Sequence, residues 1–246
     1  MYEPRTYRHW VRDAGLVGFR VAVKETDLYI RAASDLHRKA QRSVLKHRRM
    51  LEVYIGRHPE FLTSLEPLSV GEDVPRIVRE MAEAATRAGV GPMAAVAGAI
   101  AEYVGRDLLE FSPEIIVENG GDIFLKSLRP RTIGIYAGES PLTGKLGLEI
   151  ESGETPLGIC TSSGTVGHSL SFGKADAVIV LAGSASLADA AATAIGNVVS
   201  TPADIQKGIE VAQRIGGLRG VVIIKDDKLG VDGKVKLVAT EVGDTC

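Results

Sequence analysis

The sequence predicts a mixed α+β fold in which sheets pack against a layer of helices. The hydrophobic pattern is mainly helical over about residues 1–110 and changes to period-two alternation over about residues 111–246. A chain of 246 residues with 45% hydrophobic residues can also bury a large core. We therefore expect one domain over residues 1–246, whose helix-rich and sheet-rich parts form either a single body or two interlocked lobes.

The first elements are a hairpin and a long basic helix. The runs FRVAV and LYI alternate around Glu25-Thr26-Asp27, which predicts a β-hairpin over residues 17–32. A helix is expected from Ser34 to about Ile55, with Ser34 or Asp35 as its N-cap. Its middle is crowded with basic residues, namely Arg38, Lys39, Arg42, Lys46, Arg48 and Arg49. A solvated helix face is the favoured interpretation of these charges, and an anionic partner is the alternative.

A loop and two further helices complete the helix-rich part. Prolines within residues 56–74 predict a loop, after which Asp73 is placed to cap a helix from about Pro75 to Arg87. The stretch from Pro92 to Leu109 consists largely of alanine and glycine. Because such small side chains let helices approach closely, we expect this stretch to be buried.

Strands dominate the second part. Apolar runs predict six of them, EIIVEN, DIFLK, TIGIYA, KLGLEI, DAVIVLA and RGVVIIK. Helices are expected at 187–197 and 202–215, and Ser186 with Asp189, like Thr201 with Asp204, has the spacing of a capping box. The segment DDKLGVDGK is interpreted as the turn of a final hairpin between VVIIK and VKLVAT.

The composition disfavours several classes of protein. A net charge of -2 gives no overall field that would attract nucleic acid or anionic lipid. The N-terminus is polar, and no run approaches the roughly 20 apolar residues of a membrane span. Cys160 and Cys246 lie far apart, which favours a reducing compartment over a disulfide. We therefore expect a cytoplasmic protein without membrane contact.

Two polar segments are candidate ligand sites. In Glu118-Asn119-Gly120-Gly121-Asp122, a hairpin turn is the favoured interpretation, although paired glycines also let a ligand approach main-chain amides. The second segment is a loop rich in hydroxyls, made of Thr161, Ser162, Ser163, Gly164, Thr165, Gly167 and His168. Such a loop suits phosphate oxygens and is equally consistent with a surface turn, whereas His168 can exchange protons near neutral pH. Cys160 is interpreted as a buried strand-end cysteine rather than a nucleophile.

A carboxylate and a hydroxyl share one face of a predicted helix. Asp189 and Thr193 are four residues apart and offer the hard oxygen ligands that Mg²⁺ or Ca²⁺ takes. Judged by itself, the pair favours a structural role, with Asp189 in the capping box and Thr193 bonded to its own helix.

Taken in order, these segments resemble one family. Asn119-Gly-Gly-Asp-Ile123, Thr161-Ser-Ser-Gly164, His168 and Ala188-Asp-Ala-Ala-Ala-Thr-Ala194 are similar to motifs of the ApbE family of FAD:protein FMN transferases. The resemblance covers about residues 90–200. It implies an ApbE-like, T-fold-related architecture of mixed sheets with packed helices.

The resemblance also implies an activity. Members bind FAD, use Mg²⁺ and move FMN onto a serine or threonine of an acceptor protein. It assigns Asp189 and Thr193 to the metal, and His168 or Asp122 to orienting or deprotonating the acceptor hydroxyl. The residues assigned to the flavin diphosphate are Asn119, Gly120, Gly121, Thr161, Ser162, Ser163 and Gly164. A homodimer is a further expectation, because helices of small residues suit a subunit contact as well as a core.

The sequence departs from the family at two places. The family's Lys-Gly segment reads Val96-Ala97-Gly98-Ala99 here, and the histidine segment reads His168-Ser-Leu-Ser-Phe-Gly-Lys174, without the family's Asp, Pro or Arg. Three hypotheses therefore remain open. They are a Mg²⁺-dependent ApbE-type enzyme, a flavin or nucleotide binding protein without catalysis, and an interaction protein that uses the basic helix around Arg38–Arg49.

Overall fold

The computed structural model describes residues 15–165 and 172–240. The strands are β1 (Val17–Val23), β2 (Thr26–Ala32), β3 (Ile115–Asn119), β4 (Asp122–Lys126), β5 (Arg131–Gly134), β6 (Leu146–Ile150), β7 (Leu157–Ser162), β8 (Ala177–Ala182), β9 (Leu218–Lys225), β10 (Lys228–Gly233) and β11 (Leu237–Ala239). The helices are α1 (His37–Arg57), α2 (Glu60–Thr63), α3 (Arg76–Ala88), α4 (Val96–Leu108), α5 (Ala185–Gly196) and α6 (Ile205–Arg214). Short 3₁₀ turns at Pro92–Ala95 and Pro202–Asp204 lead into α4 and α6.

The strands form two sheets. Eight of them make an antiparallel sheet in the order β1-β2-β3-β4-β7-β8-β9-β10. The other three pair as β11-β6-β5. The large sheet combines strands from both parts of the chain, so we infer one interlocked domain.

Two hydrophobic cores lie on opposite faces of the large sheet. One core joins one face to the helices, with Val117, Phe124 and Cys160 from the sheet and alanine-rich surfaces of α4 and α5. The other core joins the opposite face to the small sheet, with Leu125 and Ile159 among its members. The molecule is therefore a three-layer α+β structure, which confirms the predicted fold class.

Several local predictions are confirmed. The 17–32 hairpin pairs Val23 with Thr26, and α1 and α3 lie within about three residues of their predicted bounds. The six predicted strands are present. The Thr201–Asp204 capping box is formed, with Asp204 Oδ2 accepting from the Thr201 backbone at 2.8 Å.

The predicted Ser186–Asp189 capping box is wrong. The N-cap of α5 is Ser184, whose side chain accepts from the Leu187 backbone N–H. Ser186 is completely buried, and Asp189 bonds to a different helix. Asp73 likewise does not cap α3, because Pro75 occupies the N-cap position without a side-chain cap bond. The loop predicted over residues 56–74 also contains the short helix α2.

The predicted hairpin at the chain end is also wrong. DDKLGVDGK is mostly strand β10, which pairs with β9 after a turn at Asp226 and Asp227. The VKLVAT segment leaves that sheet and pairs with β6, with Leu237 opposite Leu148. Strand β7, which lies between β4 and β8, was not predicted. Its small residues Gly158 and Cys160 give it little period-two hydrophobic signal.

Across residues 15–165 and 172–240, no single helix is long and apolar enough to cross a bilayer. Only α3 together with Pro92–Leu108 reaches that length and composition, and the two are bent by 106°. The small residues of α4 and α5 are buried against each other and the sheet. They therefore serve the core of the chain itself, and the expected dimer stays a prediction.

Candidate functional site

The site begins at the turn between β3 and β4. Gly120 and Gly121 have φ of 69° and 103°, a left-handed conformation that glycine adopts without steric cost. The turn is held by Glu118, whose Oε1 accepts from the Gly121 N–H at 2.9 Å. The hairpin turn is therefore confirmed, and it aims Asn119 and Asp122 toward the helix layer.

Asn119 and Asp122 connect this turn to the neighbouring elements. The Asn119 side-chain amide donates to the Ala97 carbonyl at 3.0 Å, in the first turn of α4. Asp122 Oδ1 accepts from the Thr161 N–H of β7 at 3.2 Å. Because β4 and β7 pair Ile123 with Ile159, Asp122 and Cys160 are opposite each other on the helix-facing side of the sheet.

Helix α5 covers this end of the sheet. Its first residue, Ala185, accepts from the Cys160 thiol at 3.3 Å, and its last residue, Gly196, contacts Gly173. Gly173 in turn contacts Gly164. The helix therefore runs along β7 from Cys160 toward Gly164, which places Asp189 and Thr193 above the strand end that carries the hydroxyls.

Asp189 joins α5 to the start of α4. Its Oδ2 accepts from the Gly98 N–H at 2.9 Å. Gly98 lies so close to Ala185 that a Cβ there would overlap the Ala185 backbone carbonyl. The close approach permitted by glycine is what lets a main-chain N–H reach this carboxylate.

Asp122 is buried and Asp189 is partly buried, and their charges repel each other. Burial raises the pKa of Asp122 well above its usual range, and the charge of Asp189 raises it further. Burial likewise raises the pKa of Asp189 to about 7, although the backbone N–H groups of Gly98 and Ala97 lower it. Burial, with both carboxylates nearby, also raises the pKa of the Cys160 thiol, which argues against a thiolate nucleophile. The pair has the electrostatics of a site that binds protons or a cation.

The hydroxyl segment is partly strand and partly loop. Thr161 and Ser162 belong to β7, and Ser162 is buried on the same side as Cys160. Beyond the strand, the Gly164 N–H donates to the Ala175 carbonyl at 2.9 Å, and the Thr165 hydroxyl lies 3.4 Å from Asp176. The loop is thus tied to the start of β8.

The structure brings together most of the residues predicted for the site. Asn119, Asp122, Cys160 and Ser162 line the sheet, and Asp189 approaches from α5. His168 lies outside the described residues, so its role stays a prediction. The sequence analysis did not identify Gly98 as a partner of Asp189. The signal that could have indicated it was the small-residue segment Val96-Ala97-Gly98-Ala99.

Within the described ranges, no group of three or more His, Cys, Asp or Glu side chains is arranged to hold a metal. Asp122 and Asp189 nonetheless suit a divalent cation, because a positive charge would relieve their mutual repulsion. Hydroxyl, carbonyl or ligand phosphate oxygens would complete its coordination.

Solved structures share this architecture. A point mutant of "Flavin Transferase ApbE" from Vibrio cholerae matches with a TM-score of 0.54 at 18% identity, over 93% of this chain and 98% of that chain. The "apbe protein" from Thermotoga maritima matches with a TM-score of 0.53 at 12% identity, over 92% and 97%. The chain therefore has an ApbE-like α+β fold.

Sequence relatives define the family more narrowly. The family profile described as "AbpE bacteria" matches residues 8–216. A "UPF0280 protein" of Methanocaldococcus jannaschii is 46% identical over 230 residues, which is 90% of this chain and 93% of the relative. Another, from Methanococcus aeolicus, is 42% identical over 239 residues, or 92% and 96%. The chain belongs to this UPF0280 branch of the ApbE-like family.

Proposed function

We propose that the protein binds FAD with a divalent cation and transfers FMN from it to a serine or threonine hydroxyl of an acceptor protein. The observation that carries this proposal is the pair of Asp122, which is buried, and Asp189, which is partly buried, lying between a Gly-Gly turn and a strand end rich in hydroxyls. Two carboxylates that repel each other away from bulk water are costly in a site that never receives a cation. A pyrophosphate ligand brings such a cation with it.

The metal ligands in this proposal are Asp189 and Thr193, one helical turn apart on α5. When bound, Mg²⁺ or Ca²⁺ would neutralise charge on the pyrophosphate and on the departing AMP. The charge of Asp189 makes ionisation of Asp122 less favourable. Two ionised carboxylates without a cation are therefore unfavourable here. Asp122 therefore strengthens cation binding even if it does not contact the metal.

Polar groups around the pair would hold the ligand. The Gly121, Thr161 and Gly164 N–H groups already donate within the chain. Phosphate contacts must therefore come mainly from side chains, with the Ser162 and Ser163 hydroxyls the nearest candidates on the strand end. The second amide hydrogen of Asn119 is available in addition to the one donated to Ala97.

The acceptor hydroxyl needs a base. Burial and the charge of Asp189 raise the pKa of Asp122 and favour its protonated form, so a nearby positive charge that lowers that pKa would make it a better base. This couples its use as a base to cation binding. His168 is the second candidate for the same role.

The experiment is a titration of metal-stripped protein with FAD, with and without Mg²⁺, followed by flavin fluorescence and by chromatography of released AMP. Asp189→Asn is expected to abolish the Mg²⁺ dependence of flavin binding. Asp227→Asn, which removes an exposed carboxylate, is the matched control and should behave like the wild type. Flavin binding that ignores both Mg²⁺ and Asp189→Asn would refute the metal assignment.

A flavin or nucleotide binding protein without transfer is the second candidate. The segment Val96-Ala97-Gly98-Ala99 favours it, because the place of the family's lysine is taken by small residues packed against α5. Mg²⁺-dependent FAD binding without AMP release in the presence of hydroxyl acceptors would support this alternative. AMP release would support the transferase.

A further inference from the structure

A groove of about 510 Å³ lies outside the candidate site, between the C-terminal half of α1 and the segment before α3. Its lining residues are Lys46, Arg49, Met50, Val53, Tyr54, Arg57, His58, Asp73, Val74 and Pro75. Neither the flavin proposal nor the hydrophobic core requires this groove. The charged and apolar side chains that line it therefore need a separate explanation.

The groove carries uncompensated positive charge. Arg49 and Arg57 are exposed, and neither forms an ion pair or side-chain hydrogen bond with any residue in 15–165 or 172–240. Lys46 forms an ion pair with Asp107, in which Nζ lies 3.1 Å from Oδ2. Asp107 does not line the groove. Asp73 is the only carboxylate among the lining residues. Because the whole chain has a net charge of -2, this local excess is not a consequence of overall composition.

The same groove exposes apolar side chains. Met50 is 37% exposed and Val53 is 50% exposed, although both lie on a helix that buries its opposite face. Tyr54 stacks on His58 with ring centroids 4.5 Å apart. Exposed apolar side chains beside cationic ones are the arrangement found in protein recognition sites.

We propose that this groove docks an acidic, partly apolar segment of another protein. Carboxylates of the segment would pair with Arg49 and Arg57, and an apolar side chain would pack on Met50 and Val53. Guanidinium groups suit this role, because their planar donors bind carboxylates in a bidentate manner.

The shape of the groove favours a polypeptide over other anionic partners. A bilayer surface suits a convex helix face, whereas the cations Lys46, Arg49 and Arg57 line a concave groove. A nucleic acid would be expected to stack on exposed aromatic rings, but Tyr54 is already stacked on His58. Exposed Met50 and Val53 would offer nothing to a phosphate backbone.

Helix α1, which lines the groove, is connected to the hairpin of the candidate site. The C-terminal half of α1 contacts the β1–β2 turn through Arg48, which donates to Thr26 at 2.7 Å. Two residues along β2, Leu28 is paired with Asn119 of the site hairpin. These contacts link α1 to the site hairpin, although the docking proposal does not depend on flavin chemistry.

The test measures binding of a labelled synthetic peptide of about 12 residues, alternating glutamate and leucine, by fluorescence anisotropy. We expect Arg49→Glu combined with Arg57→Glu to weaken binding by about tenfold or more, with the loss diminishing at high salt. The matched control is Arg38→Glu with Arg42→Glu, an equal charge change on the same exposed helix but outside the groove. This control should stay within about threefold of the wild type. Circular dichroism verifies that both variants fold.

Three outcomes would overturn the proposal. The first is no peptide binding, and the second is an equal loss in both variants, which would indicate diffuse attraction to the helix. The third is tighter binding of anionic phosphatidylserine vesicles or single-stranded RNA with the same dependence on Arg49 and Arg57. A peptide with serine in place of leucine should bind more weakly, because it lacks the apolar contact with Val53. These results are independent of whether the protein binds FAD.

Discussion

At the scale of single residues, the carboxylates Asp122 and Asp189 dominate the chemistry. They lie 67 positions apart in the chain, and their nearness is created by α5 lying along β7. Asp122 accepts a hydrogen bond from the Thr161 N–H and Asp189 accepts one from the Gly98 N–H, which orients each carboxylate without neutralising its charge. Protons or a cation must supply that neutralisation.

The raised pKa of Asp189 predicts a stability that falls as pH rises. Its pKa is 3.8 unfolded and about 7 folded, so the folded state binds more protons between these values. Without metal, up to about 4 kcal/mol of stability is lost from about pH 4 to pH 7 and stays lost above it. Urea unfolding in EDTA, compared between wild type and Asp189→Asn, measures this loss.

Comparing the wild type with Asp189→Asn isolates the contribution of Asp189 to the pH dependence of stability, because the other titrating groups are present in both proteins. The wild type should lose stability relative to Asp189→Asn as pH rises, and Mg²⁺ at about pH 8 should restore part of the loss. Asp227→Asn should keep the wild-type profile. Parallel pH profiles for wild type and Asp189→Asn would show that Asp189 is not perturbed.

At the scale of elements, the close packing of α4 and α5 positions the site. The two helices meet through Gly98 and Ala185, and α4 also holds the start of α5 through a buried carboxylate. Glu102 Oε2 accepts from the Ala185 N–H at 2.7 Å and from the Ser184 hydroxyl at 3.2 Å. A carboxylate at a helix N-terminus satisfies free N–H groups and complements the helix dipole.

Gly98→Ala is expected to destabilise the protein by about 1–3 kcal/mol, because the added methyl group overlaps the Ala185 carbonyl and forces the helices apart. It should also weaken Mg²⁺-dependent FAD binding, since the Gly98 N–H orients Asp189. Gly56→Ala is the control, because nothing lies within 4 Å of its added Cβ near the end of α1. That variant should be neutral or more stable by up to about 1 kcal/mol. Equal stabilities measured by urea unfolding would contradict the packing argument.

Glu102→Ala is expected to cost about 2 kcal/mol, because it leaves the Ala185 N–H and Arg106 without their buried acceptor. Glu102→Gln keeps an acceptor oxygen and should lose less. Exposed Glu110→Ala serves as the control for carboxylate removal and should change stability by less than about 0.5 kcal/mol. If the Ala and Gln variants at residue 102 unfold at the same urea concentration, the hydrogen bond to α5 contributes nothing.

At the scale of the whole molecule, the large sheet separates two cores and supports the site at one end. Strands β7, β8 and β9 are paired on both sides and buried, whereas β10 is paired with β9 alone among the described strands. We therefore expect β7, β8 and β9 to resist local opening more strongly than β10, since edge strands have fewer buried contacts.

Hydrogen exchange followed by mass spectrometry tests this order. Amides of β8 and β9 that donate within the sheet should exchange at least about 100-fold more slowly than those of β10. Peptides from β1, the other edge strand, should resemble β10. Uniform exchange across β8, β9 and β10 would show that the sheet opens as one unit.

Local sequence patterns were enough to predict most of the individual elements. The period-two runs identified six strands, the 17–32 hairpin and the Gly120-Gly121 turn, because these depend on side chains within a few residues of one another. The capping box of Thr201 and Asp204 was predictable for the same reason, since its two residues are three positions apart. The order of short motifs from Asn119 to Thr193 also indicated the family correctly.

Which elements meet is known only from the folded structure. Asp189, expected as a cap, is a partner of Gly98, and the VKLVAT segment, expected in a hairpin, pairs with β6. Arg49 and Arg57, which pair with no described residue, line one groove with exposed Met50 and Val53. The physical reason is that burial, charge repulsion and strand pairing depend on neighbours distant in the chain, about which local periodicity carries no information.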